Sequence, residues 1–135
     1  MFGTILATAE TFRISQFHFP YIHGYHNKAN AFRHALWNIL IAKKCMWFTS
    51  NLDSSLKWTK RITDWHEDFS PNEDLARAMD LHNNAIGRDF YKENRTVKSK
   101  EMISLLLMEL DHLQKEPVIK ILQHETYEHL FRRHC

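Results

Sequence analysis

The stretch KANAFRHALWNILIAKKCMWF, residues 28–48, reads as one long helix with two distinct faces. Phe32, Ala35, Leu36 and Ile39 recur at i, i+3, i+4 and i+7, the spacing of a core-facing stripe. Asn30, Arg33, His34, Trp37 and Asn38 form a second stripe. It is polar yet carries an indole, so it faces a pocket rather than open water. Asn27 stands where an N-cap belongs.

Nothing elsewhere competes with a helical reading. The 135 residues include only three Gly and three Pro, too few for a turn-rich β architecture. With 44% hydrophobic and 25% charged residues, the chain suits a single globular domain over residues 1–135. Thr4 to Arg13 reads as a short helix, and the aromatic, His-rich segment 17–26 as an ordered loop. A helix over 54–68 has Trp58, Ile62, Trp65 and Phe69 as its apolar face. SPNE at 70–73 resembles a helix start, with Ser70 as cap, Pro71 at the first helical position and Glu73 closing a capping box. That helix runs to Lys92, with Leu75, Ala78, Met79, His82, Ile86, Asp89 and Phe90 on one side. Lys98 to Gln114 forms another, with Met102, Ile103, Leu106, Leu110 and Leu113 as core candidates, and a last one starts at Pro117. The expectation is an all-α, compact bundle of about five helices.

The net charge of +2 and the lack of long basic runs give nucleic-acid binding little support. No stretch spans a membrane, and no secretory signal peptide is evident. The two cysteines, Cys45 and Cys135, have neither metal-ligand nor CxxC spacing.

Polarity concentrates in three segments: residues 30–38, DWHED at 64–68, and MDLHNNAIGR at 79–88. Burying so many polar groups is costly unless they pair or bind something, which suggests one shared site. His34 has Asn30 and Asn38 one turn to either side. The ring suits metal binding or proton transfer, and the amides suit a water or a phosphate oxygen. The same groups also suit a core in which they satisfy each other. His66 projects at the edge of its helix's apolar face, and Glu67 joins a site only if that helix ends there. His82 reads as core-facing, with Asp89 two turns on to orient its ring. Gly87 inside a helix admits close approach of another segment or a ligand. Glu125 and His129 read as a surface pair or an extension of the site. His18, His23 and His26 line a pocket mouth or belong to a loop. GxSxG, HExxH and Gly-rich phosphate loops are absent.

NAFRHALWN, WHE and MDLHNNAIGR, in that order across residues 24–90, resemble the signature of a small toxin-like domain. Such domains form the C-terminal ends of bacterial polymorphic and Rhs-type toxins. The positions that match are Arg33, His34, Trp37, His66, Glu67, Asp80, Asn83, Asn84 and Gly87; Asn30 stands where the pattern often has Asp. The resemblance implies antagonism between bacteria, with a cognate immunity protein and a parent toxin or secretion-machine carrier as partners. It implies synthesis in the bacterial cytoplasm and delivery to a target cell by a route that reads no signal peptide.

The expected activity is that of a metal-assisted hydrolase acting on an envelope phosphoester or phospholipid. Arg33, His34, His66, Glu67, Asp80 and His82 are the catalytic candidates. Asn30, Trp37, Asn38, Asn83 and Asn84 are the substrate-binding candidates. His34, His66 and Asp80 are the candidate ligands of a divalent metal, zinc or another. The alternatives are a toxin that binds and blocks an envelope or cytosolic protein without catalysis, and a nuclease.

Overall fold

The computed structural model describes residues 2–20 and 28–115, and every regular element within them is an α-helix. The elements are α1 (Phe2–His18), α2 (Lys28–Thr49), α3 (Leu52–Phe69), α4 (Asp74–Asn94) and α5 (Ser99–Lys115). The helix expected from Pro117, the proposed Asn27 cap, and His23, His26, Glu125 and His129 lie outside the described residues.

α2 packs against each of the other four helices. Its burial runs around the cylinder: Ala29, Phe32, Ala35, Leu36, Ile39, Leu40, Ile41 and Ala42 all lie inside. A helix apolar on most sides is a central helix. Towards α1 and α5 the packing is apolar, with Ala7, Ile14, Met102, Leu106 and Leu110 closing over Phe32, Leu36 and Ile39. α1 is longer than the 4–13 segment expected, because no breaker precedes Pro20 and its small residues Gly3, Ala7, Thr11 and Ser15 pack inward.

Towards α3 and α4 the interior is polar. The buried face of α3 is Ser55, Thr59, Thr63 and Glu67, one residue per turn. The apolar face expected there holds only in part: Trp58 and Ile62 are half-buried and pack against the core, but Trp65 and Phe69 are 60% and 74% exposed. The Thr59 hydroxyl donates to the Ser55 carbonyl and the Thr63 hydroxyl to the Thr59 carbonyl. Back-bonded in this way, small β-branched residues behave as compact packing units and let α3 sit close to α2.

The buried face of α4 is Ala76, Asp80, Asn84, Gly87 and Tyr91. His82 and Asp89, expected inside, are exposed, because His82 points about 200° around the helix from Asp80. The start of α4 also differs. Ser70 caps the end of α3 with an extended backbone and donates to the His66 carbonyl, and α4 begins only after Glu73. Pro71 disfavours helical geometry at Ser70, so the SPNE motif marks a stop and a connection, not an N-terminus. The real cap signal is Asn51, whose side chain accepts from the Ser54 amide at 2.9 Å and starts α3.

Gly87 lies directly against α2. A Cβ placed there would sit 2.3 Å from the Ala35 carbonyl oxygen and 2.7 Å from its Cα. The two helix backbones touch at this point, and only a residue without a side chain permits it. This seam brings Asp80 and Asn84 within reach of His34.

Candidate metal centre

His34 projects from α2 into the seam shared with α3 and α4. Its Nδ1 lies 3.2 Å from Asn84 Oδ1 and 3.4 Å from Glu67 Oε1. Its Nε2 lies 3.3 Å from Asp80 Oδ1. One ligand-type atom from each of His34, Glu67 and Asp80 falls within 4.8 Å of the other two, and all three residues are buried. Each comes from a different helix.

Amides surround this core. Asn30 donates to Asp80 Oδ1 at 2.7 Å, and Arg33 donates to the Asn30 carbonyl oxygen at 2.6 Å. Asn72, in the α3–α4 connection, donates to Asp80 Oδ2 at 3.3 Å. Asn38 donates to the His34 carbonyl at 3.0 Å and to Asn84 Oδ1 at 2.7 Å. Asn84 donates to Glu67 Oε1 at 3.1 Å. Arg88 donates to Asn38 Oδ1 at 2.9 Å, and the Thr63 hydroxyl approaches the same oxygen at 3.2 Å. Asn72 is exposed and Arg33 half-buried, so the cluster reaches solvent on their side.

Burial sets the electrostatics. It pushes the His34 ring below its ordinary 6.5, with Asp80 and then Glu67 pulling the other way. It pushes the Glu67 carboxyl above its ordinary range, with His34 opposing. A neutral imidazole beside two carboxylates is the state in which histidine ligates a cation. Zinc bonds of about 2.0–2.1 Å in tetrahedral geometry separate neighbouring ligand atoms by about 3.3 Å. The His34–Asp80 separation of 3.3 Å matches that edge.

The sequence-derived candidates divide accordingly. Asn30, Arg33, His34, Asn38, Glu67, Asp80 and Asn84 converge. His66 does not: it is exposed, and its ring meets the Trp37 indole edge-on at 5.1 Å. α3 continues past it to Phe69, and the face that turns inward carries Glu67 instead. Glu67 thus replaces His66 in the expected ligand set. Trp37 donates to the Thr8 hydroxyl at 2.9 Å and bridges α1 and α3 rather than lining the cluster. Asn83 is half-buried, one step around α4 from Asn84, and His82 points outward. Arg88, Thr63 and Asn72 were missed. Only one signal could have found two of them. Thr63 lies one turn before Glu67 on α3, and Arg88 one turn after Asn84 on α4.

Among the described residues no helix is long and apolar enough to cross a membrane. No curated protein and no solved structure matches the chain. A family model does match, over residues 1–114 of 135, and the buried residues of the seam all fall within that span. The chain therefore belongs to the family described as a domain of unknown function, DUF6973.

Proposed function

We propose that the chain is a metal-assisted hydrolase in which His34, Glu67 and Asp80 hold a divalent cation. The observation that carries this reading is the convergence of three buried ligand atoms within 4.8 Å, one from each of three helices. Two carboxylates and an imidazole at such a distance repel or compete for protons unless a positive charge sits among them. A cation held there would lower the pKa of a water bound to it and so supply a nucleophile near neutral pH. Arg33, half-buried at the solvent side, supplies a positive charge for an anionic substrate. A phosphoester fits that arrangement.

The biological setting we propose is bacterial antagonism, on the resemblance of the three motifs to polymorphic-toxin domains. An immunity protein and a toxin or secretion carrier are the partners this setting entails. The test combines chemistry with cells. The purified chain, loaded with zinc, manganese or magnesium, is assayed on an activated phosphodiester and on phospholipid vesicles. His34→Ala, Glu67→Gln and Asp80→Asn are then expressed in the bacterial cytosol and in the periplasm beside the wild type. Hydrolysis and toxicity that vanish together in folded variants support the reading. A chain that binds none of the three cations overturns it.

A further inference from the structure

α1 is apolar on the side that the bundle leaves bare. Its buried residues are Gly3, Ala7, Thr11, Ile14 and Ser15. On the opposite side Phe2, Ile5, Ala9, Phe12 and Gln16, all exposed, recur at i, i+3, i+7, i+10 and i+14. That is the spacing of a seam that packs on another helix. Leu6 and Phe17 widen it. The exposed Phe48 ring extends it past Gly3, where an added Cβ would meet the ring at 3.6 Å. Arg13 is the stripe's single Lys, Arg, Asp or Glu, and the Glu10 carboxylate turns aside to Lys44 at 2.7 Å. Phe2, Phe12 and Phe17 are 69%, 57% and 81% exposed, which bares about 400 Å² from three side chains. With Ile5, Leu6, Ala9 and Phe48 the patch comes to about 600 Å², the upper end of what a monomer ordinarily shows. Two such patches provide the ~1,200 Å² at which stable interfaces begin.

We infer that this stripe is an interface for a second copy of the chain, the two α1 helices lying antiparallel across a twofold axis at Ala9. A twofold contact needs a surface that complements itself. Ala9, the smallest residue of the stripe, lets two helices approach closely at its middle. Leu6 then lies opposite the partner's Phe12, and Phe2 opposite the partner's Gln16, so large side chains meet on both sides of the axis. Antiparallel pairing also sets the two Arg13 charges about 12 Å apart along the helices, where a parallel pair would bring them side by side. It lays the N-terminus of each helix beside the C-terminus of the other, which suits their dipoles. A lipid surface fits the stripe less well. A helix that lies in a membrane interface carries basic residues along its polar face, and the opposite face of α1 is packed into the bundle. No residue of the stripe belongs to the seam around His34, so the inference goes beyond the hydrolase reading and stands without it.

Sedimentation of the full chain tests it, at about 100 µM, where an interface of this size should be filled. The wild type should sediment as a dimer. Phe12→Glu changes an exposed side chain and should keep its helical circular dichroism. It should weaken dimerisation about a hundredfold, because the symmetry removes two contacts at once. Cysteine cross-linking reads the orientation, in a chain that carries Cys45→Ser and Cys135→Ser. Ala9→Cys should oxidise to a disulfide-linked dimer and Phe2→Cys should not, since Ala9 alone of the two meets its own copy on the axis. Self-linking of Phe2→Cys overturns the antiparallel pairing. A Phe12→Glu chain that dimerises as well as the wild type removes the stripe from the interface. A wild type that stays monomeric at that concentration overturns the dimer. Anionic phospholipid vesicles then identify what the face takes instead: co-sedimentation that Phe12→Glu abolishes gives it to lipid.

Discussion

At Glu67 burial and charge pull against each other. The carboxylate is 1% exposed and its pKa is raised, first by burial. The sign follows from proton linkage. With the folded-state pKa above the unfolded 4.5, the native state retains more protons than the unfolded state as pH rises from there, so stability is lost through that window. Glutamine removes the charge yet keeps an oxygen for the Asn84 amide. In metal-free protein, Glu67→Gln should therefore be as stable as the wild type near pH 4.5 and more stable, by about 1 kcal/mol, at pH 8. Urea midpoints at the two pH values measure it, and an equal shift at both would show that burial of the charge is not the cause. The same variant should lose hydrolysis. His34, with its lowered pKa, contributes the opposite slope, stability falling as pH drops below 6.5, so the variant rather than the wild type isolates the Glu67 effect.

At the scale of elements, the seam between α2 and α4 is the decisive packing feature. Gly87→Ala puts a methyl within 2.3 Å of the Ala35 carbonyl oxygen, where backbone rather than a flexible side chain must yield. The change should cost about 1–3 kcal/mol despite the better helix propensity of alanine, and the His34–Asp80 contact should open with it. A thermal melt reads the first effect and loss of zinc binding the second. On α3, Thr59→Val and Thr63→Val separate two kinds of hydroxyl. Thr59 bonds back to its own helix, so its replacement should cost under about 1 kcal/mol. Thr63 also reaches Asn38, and its loss should cost about 1–3 kcal/mol. These elements show what was legible. α2 was readable because its stripe is apolar and its partners on the α1 and α5 side are too. The close approach at Gly87 was also readable, since glycine inside a helix has few other uses. The inward faces of α3 and α4 were not, because apolar periodicity presumes an apolar interior. Ser55, Thr59, Thr63 and Glu67 recur every fourth residue, but hydropathy ranks that stripe as surface. The same presumption drew His82 inward and left Glu67 outside, when a polar interior reverses both.

At the scale of the molecule, the fold is a helix with an apolar flank and a polar flank. α1 and α5 close the first with Ala7, Ile14, Met102, Leu106 and Leu110. α3 and α4 close the second with groups that need each other or a ligand. The apolar flank gives stability at little risk, since burial of its side chains contributes about 25 cal/mol per Å² whatever the state of the site. The polar flank holds two carboxylates, an imidazole and two arginines in a small volume, so its energy turns on how those charges are matched. A cation bound among His34, Glu67 and Asp80 should therefore stabilise the whole chain. At a zinc concentration a hundredfold above Kd the gain is about 2.7 kcal/mol by mass action. The thermal midpoint should rise by several degrees and fall back with chelator. Asp80→Asn keeps the shape of the side chain and an acceptor for Asn30 but removes one charge from the centre. It should cut the zinc-dependent rise to a small fraction while leaving the metal-free stability within about 1 kcal/mol of the wild type. An unchanged rise in Asp80→Asn would place the cation elsewhere, because no described residue other than Asp80 brings a carboxylate to the Nε2 edge of His34 at 3.3 Å.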